Sequence, residues 1–103
     1  LLCAQHATLG QVIKSIRQKG LRRFYQTGSP SGLHADHRDK LRFQLAALET
    51  ATTIEDMDIP GFRLHPLKGQ RTGTWAIKVS GNWRLTFQID GGHIHDLDYE
   101  DYH

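Results

Sequence analysis

The chain is poor in the residues that build stapled, fibrous or membrane-spanning proteins. One cysteine, Cys3, among 103 residues excludes an internal disulfide and every zinc or iron–sulfur site that needs several thiolates. No apolar run approaches the ~18 residues of a spanning helix. The opening Leu1-Leu2-Cys3-Ala4 lacks the basic start and long apolar stretch of a secretory signal. Gly69-x-x-x-Gly73 is not followed by the Lys-Ser/Thr of a phosphate-cradling loop, and no Gly-x-Ser-x-Gly elbow is present. No internal repeat or low-complexity tract is found. What is left is a chain of single-domain length, 38% hydrophobic and 23% charged, expected to be a small globular domain of the cytoplasm.

Net charge is only +2, but the charges are sorted along the chain. Val12 to Leu48 carries eight Lys and Arg against two Asp, and Glu49 to Gly61 has four acids and no base. Phe62 to Arg84 has five bases and no acid, and Asp90 to the end has five acids and no Lys or Arg. Such blocks can set a phosphate-attracting surface beside acidic groups on one small body, or simply neutralise one another in solvent.

Hydrophobic periodicity predicts the elements. Val12–Ile16 reads as a short strand, and Arg17–Gln26 as a helix with Leu21, Phe24 and Tyr25 on one side. Thr27 to Gly32 breaks the chain before a longer helix over about His34–Thr50, striped by Leu41, Leu45 and Leu48. Thr52-x-x-Glu55 looks like a capped single turn. Phe62–Leu67, Thr74–Ser80, Trp83–Ile89 and His93–Tyr99 read as strands, with hairpin turns at Ser80-Gly81-Asn82 and Asp90-Gly91-Gly92. Trp75, Ile77 and Val79, and Trp83, Leu85, Phe87 and Ile89, alternate with polar residues and share one sheet face, which the helices are expected to cover. Lys78, Arg84, Thr86 and Gln88 fall on the other, open face. The predicted fold is α+β, in the order β-α-α-β-β-β-β, with two helices on one face of a mainly antiparallel sheet. Residues 1–11 add no periodic element and read as an upstream or non-native extension, with one domain over 12–103.

Three clusters could carry chemistry: His65-Pro66-Leu67-Lys68-Gly69, Asn82-Trp83-Arg84, and the terminal Tyr99-Glu100-Asp101-Tyr102-His103. Alternation turns His65 away from Phe62 and Leu64, and Arg84 away from Trp83 and Leu85. His65, Lys68 and Arg84 can therefore converge on the polar face, with Asp101, Tyr102 and His103 at its rim. Cleaving RNA without a metal needs a base at the 2′-hydroxyl, an acid at the leaving 5′-oxygen and cations at the phosphate. Histidine titrates near working pH, arginine grips two phosphate oxygens with a fixed fork, lysine adds a point charge, and tyrosine can stack on a base. The products would be a 2′,3′-cyclic phosphate and a 5′-hydroxyl. Taken singly each residue has a structural alternative: a strand end for His65, an outer-face ion pair for Arg84, a solvated turn for Lys68, a frayed tail for the last three. His34-x-x-His37 and His93-x-His95 each offer two metal ligands without a matching third, so no metal or other cofactor is expected.

Ile13-Lys14-Ser15-Ile16, Gly20-Leu21-Arg22-Arg23-Phe24-Tyr25, the His65–Gly69 and Asn82–Phe87 blocks, and the terminal Tyr99–His103 together resemble the HigB toxins, or proteic killer proteins, of the RelE/ParE superfamily. The resemblance covers residues 12–103; the leader before it is its one departure. It implies the RelE-like fold and a ribosome-dependent endoribonuclease that cuts messenger RNA in the decoding site of the 70S ribosome. It also implies a HigA-type helix-turn-helix antitoxin, through which alone operator DNA is bound. It assigns the active site to His65, Lys68, Arg84, Asp101, Tyr102 and His103, without saying which is acid and which is base. Lys19, Arg22, Arg23, Arg63, Arg71 and Lys78 are further candidates for RNA contact, the helical three also for the antitoxin. Two alternatives remain: a non-catalytic toxin of the same fold acting on a protein such as DNA gyrase, and an RNA-binding module without turnover.

Overall fold

The computed structural model describes residues 13–101. Residues 1–12 and the terminal Tyr102 and His103 lie outside the described residues, and with them the expected extension and two of the expected site residues. Helix α1 (Lys19–Thr27) buries Leu21 and Phe24 and starts where the Gln18 side chain accepts the Leu21 N–H. Gly28, at φ 81°, ends it and returns its N–H to the Phe24 carbonyl, a conformation glycine adopts without steric cost. A 3-10 turn (Ala35–His37) leads into helix α2 (Arg38–Thr50). Leu41, Gln44, Leu45 and Leu48 make the buried stripe of α2, the spacing expected of one helix face. No helix among the described residues is long and apolar enough to cross a membrane.

The predicted capped turn is present as a 3-10 turn, Ile54–Met57, but its reciprocal pair is Thr53 and Asp56, one residue beyond the predicted Thr52 and Glu55. The Asp56 carboxylate accepts the N–H groups of Thr52 and Thr53 at 2.9 and 3.2 Å. Those bonds hold it below the usual carboxylate range.

Four antiparallel strands follow in sequential order: β1 (His65–Pro66), β2 (Trp75–Ser80), β3 (Trp83–Asp90) and β4 (His93–Asp101). Gly81 takes φ 58° at the first loop position of the β2–β3 hairpin, and Gly91 and Gly92 take 60° and 83° between β3 and β4. Tight hairpins matching the sheet's twist need these left-handed residues. The expected strand Phe62–Leu67 shrinks to two residues, because Arg63 turns left-handed at φ 54° and Pro66 has no N–H to give a ladder. The expected Val12–Ile16 strand is likewise not continuous. Residues 13–17 run parallel to β4 and touch it at two isolated bridges, Ile13 to Ile94 and Ile16 to Leu97. Between those bridges Asp96 sits at φ 54° and gives its N–H to the Ser15 hydroxyl at 2.8 Å, so a regular ladder cannot form.

The helices cover one sheet face as predicted. Leu21, Phe24, Leu41, Leu45 and Leu48 pack with Ile77, Val79, Leu85, Phe87, Leu97 and Tyr99 in a single core, and Trp75 and Trp83 lie half-buried against it. The other face is crossed only in part, by Arg71 of the 3-10 turn Gly69–Arg71 among the described residues, and it carries the candidate site.

Candidate active site

Strand register sets the open face out in rows. His65 lies opposite Ala76, Ala76 opposite Thr86, and Thr86 opposite Asp98. In the next row Lys78 lies opposite Arg84 and Arg84 opposite Glu100. Strands stand about 4.8 Å apart and same-face rows about 7 Å apart, so the backbones of His65 and Arg84 are separated by about 12 Å. Their side chains point to the same side and can reach opposite edges of one nucleotide linkage. Ala76, the small residue between them, is itself buried.

The left-handed backbone at Arg63 aims its carbonyl at the His65 ring, 2.9 Å from Nδ1. A carbonyl can only accept, so Nδ1 carries the hydrogen, and in the neutral ring Nε2 is the nitrogen with the lone pair. A non-glycine residue held at positive φ costs about 1–2 kcal/mol, and here the strain orients an imidazole. Arg84 is anchored from the turn: its Nη1 donates to the carbonyls of Gly81 at 2.7 Å and Trp83 at 3.1 Å. Its Nε is buried and has no hydrogen-bond partner among the described residues. A buried N–H left unpaired is costly, and an anion oxygen at that edge would satisfy it.

Lys68 is exposed at the start of the 3-10 turn Gly69–Arg71, in the β1–β2 loop that Leu67 ties back to Thr74. Arg71, proposed from sequence as an RNA contact, is partly exposed and turns across the face. It grips Glu100 with both nitrogens, at 3.0 and 2.7 Å, and the Thr86 hydroxyl also bonds that carboxylate. The Arg71 bonds hold Glu100 below the usual carboxylate range. The clamp joins the loop of Lys68 to the last strand and buries Thr86 on a face that would otherwise be wet. Sequence reading missed Glu100 as a site residue, although two-residue alternation from Asp98 puts it on Arg84's face. Asp101 ends β4 opposite Trp83, in phase with Tyr99 rather than Glu100, and is exposed.

Among the helical candidates, Arg22 folds back onto the carbonyls of Ile16 at 3.2 Å and Arg17 at 3.5 Å, while Lys19 and Arg23 are exposed; Arg63 is exposed in its turn. Of the two histidine pairs weighed as metal ligands, His34 and His37 make other contacts. His37 is buried with Nδ1 2.6 Å from the Tyr99 hydroxyl, and the His34 ring lies edge-on to Trp83 at 4.7 Å. Among the described residues no group of three His, Cys, Asp or Glu side chains could hold a metal ion.

The fold and this face define a small helix-covered sheet that carries an oriented imidazole and a neighbouring pair of cations. Residues 14–103 match the family described as the RelE-like toxin of type II toxin–antitoxin system HigB. The chain is also 45% identical over 92 residues to Endoribonuclease HigB of Proteus vulgaris, spanning 89% of this chain and all of the relative. The chain therefore belongs to the HigB-like family of RelE-like toxins, whose place is in a toxin–antitoxin pair.

Proposed function

We propose that this toxin is an endoribonuclease that cuts messenger RNA on the ribosome by metal-free attack of the 2′-hydroxyl on the adjacent phosphorus. The observation that carries the reading is the pairing of a cation and a base on one open face: Arg84 with a buried unpartnered Nε, and His65 with Nε2 left to accept a proton. His65 Nε2 takes the 2′-hydroxyl proton as that oxygen bonds to phosphorus. Arg84, with Lys78 beside it in the same row and Lys68 from the loop, stabilises the charge that gathers on the phosphorane oxygens. Asp101 falls on the Tyr99 side of β4, so of the terminal set His103 is left to give a proton to the leaving 5′-oxygen, and Tyr102 stacks on a base. The products are a 2′,3′-cyclic phosphate and a 5′-hydroxyl, so atoms and charge balance without a cofactor.

The polar cavity beside Thr86, about 210 Å³, is too small to hold a message by itself. That favours a substrate presented in extended form by the decoding site, with exposed Lys19, Arg23 and Arg63 available to ribosomal phosphate. The antitoxin is of the HigA helix-turn-helix type and reaches operator DNA for the pair, and the toxin acts in the cytoplasm, where messages are translated. The test is primer extension on cellular messages after induction, with the new 3′ ends assayed for a cyclic phosphate. Codon-spaced cuts with cyclic ends are expected. Growth arrest with intact messages would overturn the reading in favour of a protein target such as DNA gyrase.

A further inference from the structure

Beside the Arg71–Glu100 clamp, on the side away from Arg84, the open face sinks into a polar cavity of about 210 Å³. Its walls include Gln70, Arg71, Thr74, Thr86, Gln88 and Asp98. Three acids of β4 lie along this side, and two of them are already matched: Glu100 by Arg71 at 2.7 Å and Asp96 by Arg17 at 3.9 Å. Asp98 has no cation within ion-pair distance among the described residues; one of its oxygens accepts the Tyr99 N–H at 3.0 Å. Half-burial, the larger influence, raises this carboxyl above its ordinary value despite that bond. Facing it are two amides, since Gln88 Nε2 reaches Thr74 Oγ1 only at a long 3.5 Å and Gln70 is exposed.

We propose that this cavity reads the base of the nucleotide flanking the cut, and that Asp98 selects bases carrying an exocyclic amino group over uracil. The inference rests on the reading of the face as an RNA-cleaving one. Three observations support it. Thr86, in the cavity wall, is one same-face row from Arg84, about 7 Å along the strand and within the reach of a neighbouring nucleotide. The volume is below the roughly 300 Å³ of a site for a drug-sized ligand, which suits a single planar base and not a whole nucleotide. A carboxylate accepts from amino groups and repels the carbonyl edge of uracil, while glutamine amides pair with either side of a base edge.

Asp98→Asn keeps an oxygen for the Tyr99 N–H and turns the cavity-facing acceptor into a donor. Cleavage sites across all cellular messages are mapped after induction of wild type, Asp98→Asn and Gln88→Leu, with thermal unfolding and antitoxin binding measured on each purified protein. The wild type is expected to exclude uracil at one position beside the cut, and Asp98→Asn to raise uracil there about tenfold relative to the other bases. Gln88→Leu, at an exposed position, is expected to flatten the preference at the same position, and it decides the matter if Asp98→Asn does not fold. Identical site distributions in all three proteins would overturn the base-reading cavity while leaving the nuclease reading intact. So would a folded Asp98→Asn that cuts nothing, because a selector redistributes cuts and does not abolish them. Absence of cuts by the wild type would overturn the nuclease reading itself, and this inference with it.

Discussion

Neighbouring residues of β3 belong to different worlds. Leu85 and Phe87 are fully buried beneath the helices, whereas Arg84 and Gln88 look onto the open face from positions one residue away. Thr86 shows how the open face differs from mere surface: it is 1% exposed because the Arg71–Glu100 clamp lies over it. One strand thus holds the fold together with every second side chain and, on the proposed reading, presents chemistry with the others. Substitutions on one face should move stability, and on the other turnover.

The sharpest break in that contrast comes from the proton-transfer and charge groups. His65→Ala is expected to slow message cleavage by about 10²–10⁴, the usual worth of a positioned acid or base. Arg84→Ala is expected to cost about 10²–10³. In both, thermal unfolding and antitoxin binding should stay near wild type; a comparable loss of stability would mean the face is structural. Leu85→Ala, next to Arg84 in sequence, is expected to reverse the pattern. It removes a fully buried side chain and should cost about 2–5 kcal/mol in chemical denaturation, while the folded fraction still cuts RNA.

Glu100→Gln tests the clamp between the two roles. Arg71 and Glu100 are partly exposed, so the expected loss of stability is about 1 kcal/mol. Because Arg71 depresses the Glu100 carboxyl, the clamp's contribution is present above the ordinary glutamate range and vanishes as pH falls through the lower folded-state value. The variant should therefore lose less stability on acidification than the wild type. The smallest effect belongs to His37, beneath the sheet. Burial first, and then the neighbouring His34, hold its imidazole below the ordinary histidine value. The unfolded chain takes up that proton more readily, so wild-type stability should fall as pH drops through the histidine range. His37→Gln should remove that part of the decline, seen as a narrower gap between unfolding midpoints at neutral and mildly acidic pH.

Much of this division was legible from period alone. Two-residue alternation in β2 and β3 put Lys78, Arg84 and Gln88 outside and Ile77, Val79, Leu85 and Phe87 inside, because a strand cannot place neighbours on one face. The leucine stripe of α2 was equally plain. What period could not reach were the interruptions. The turn at Arg63 and the bulge at Asp96 are non-glycine residues in a left-handed conformation, which no local propensity announces. Arg71 read as a free cation because its partner Glu100 is 29 residues away. The spacing of His34 and His37 fits one helix face but says nothing of Tyr99, 62 residues on, which His37 bonds.

The amino-acid sequence by itself determined which face of the sheet each residue of β2 and β3 takes, since hydrophobic period and turn glycines act over a few residues. Only the tertiary structure decided which cations pair with a carboxylate and which do not. Arg84 keeps a buried Nε without a partner while Arg71 is consumed by Glu100. The physical reason is that an ion pair or a stranded donor depends on distances between segments far apart in the chain, and those are fixed only when the strands take their register.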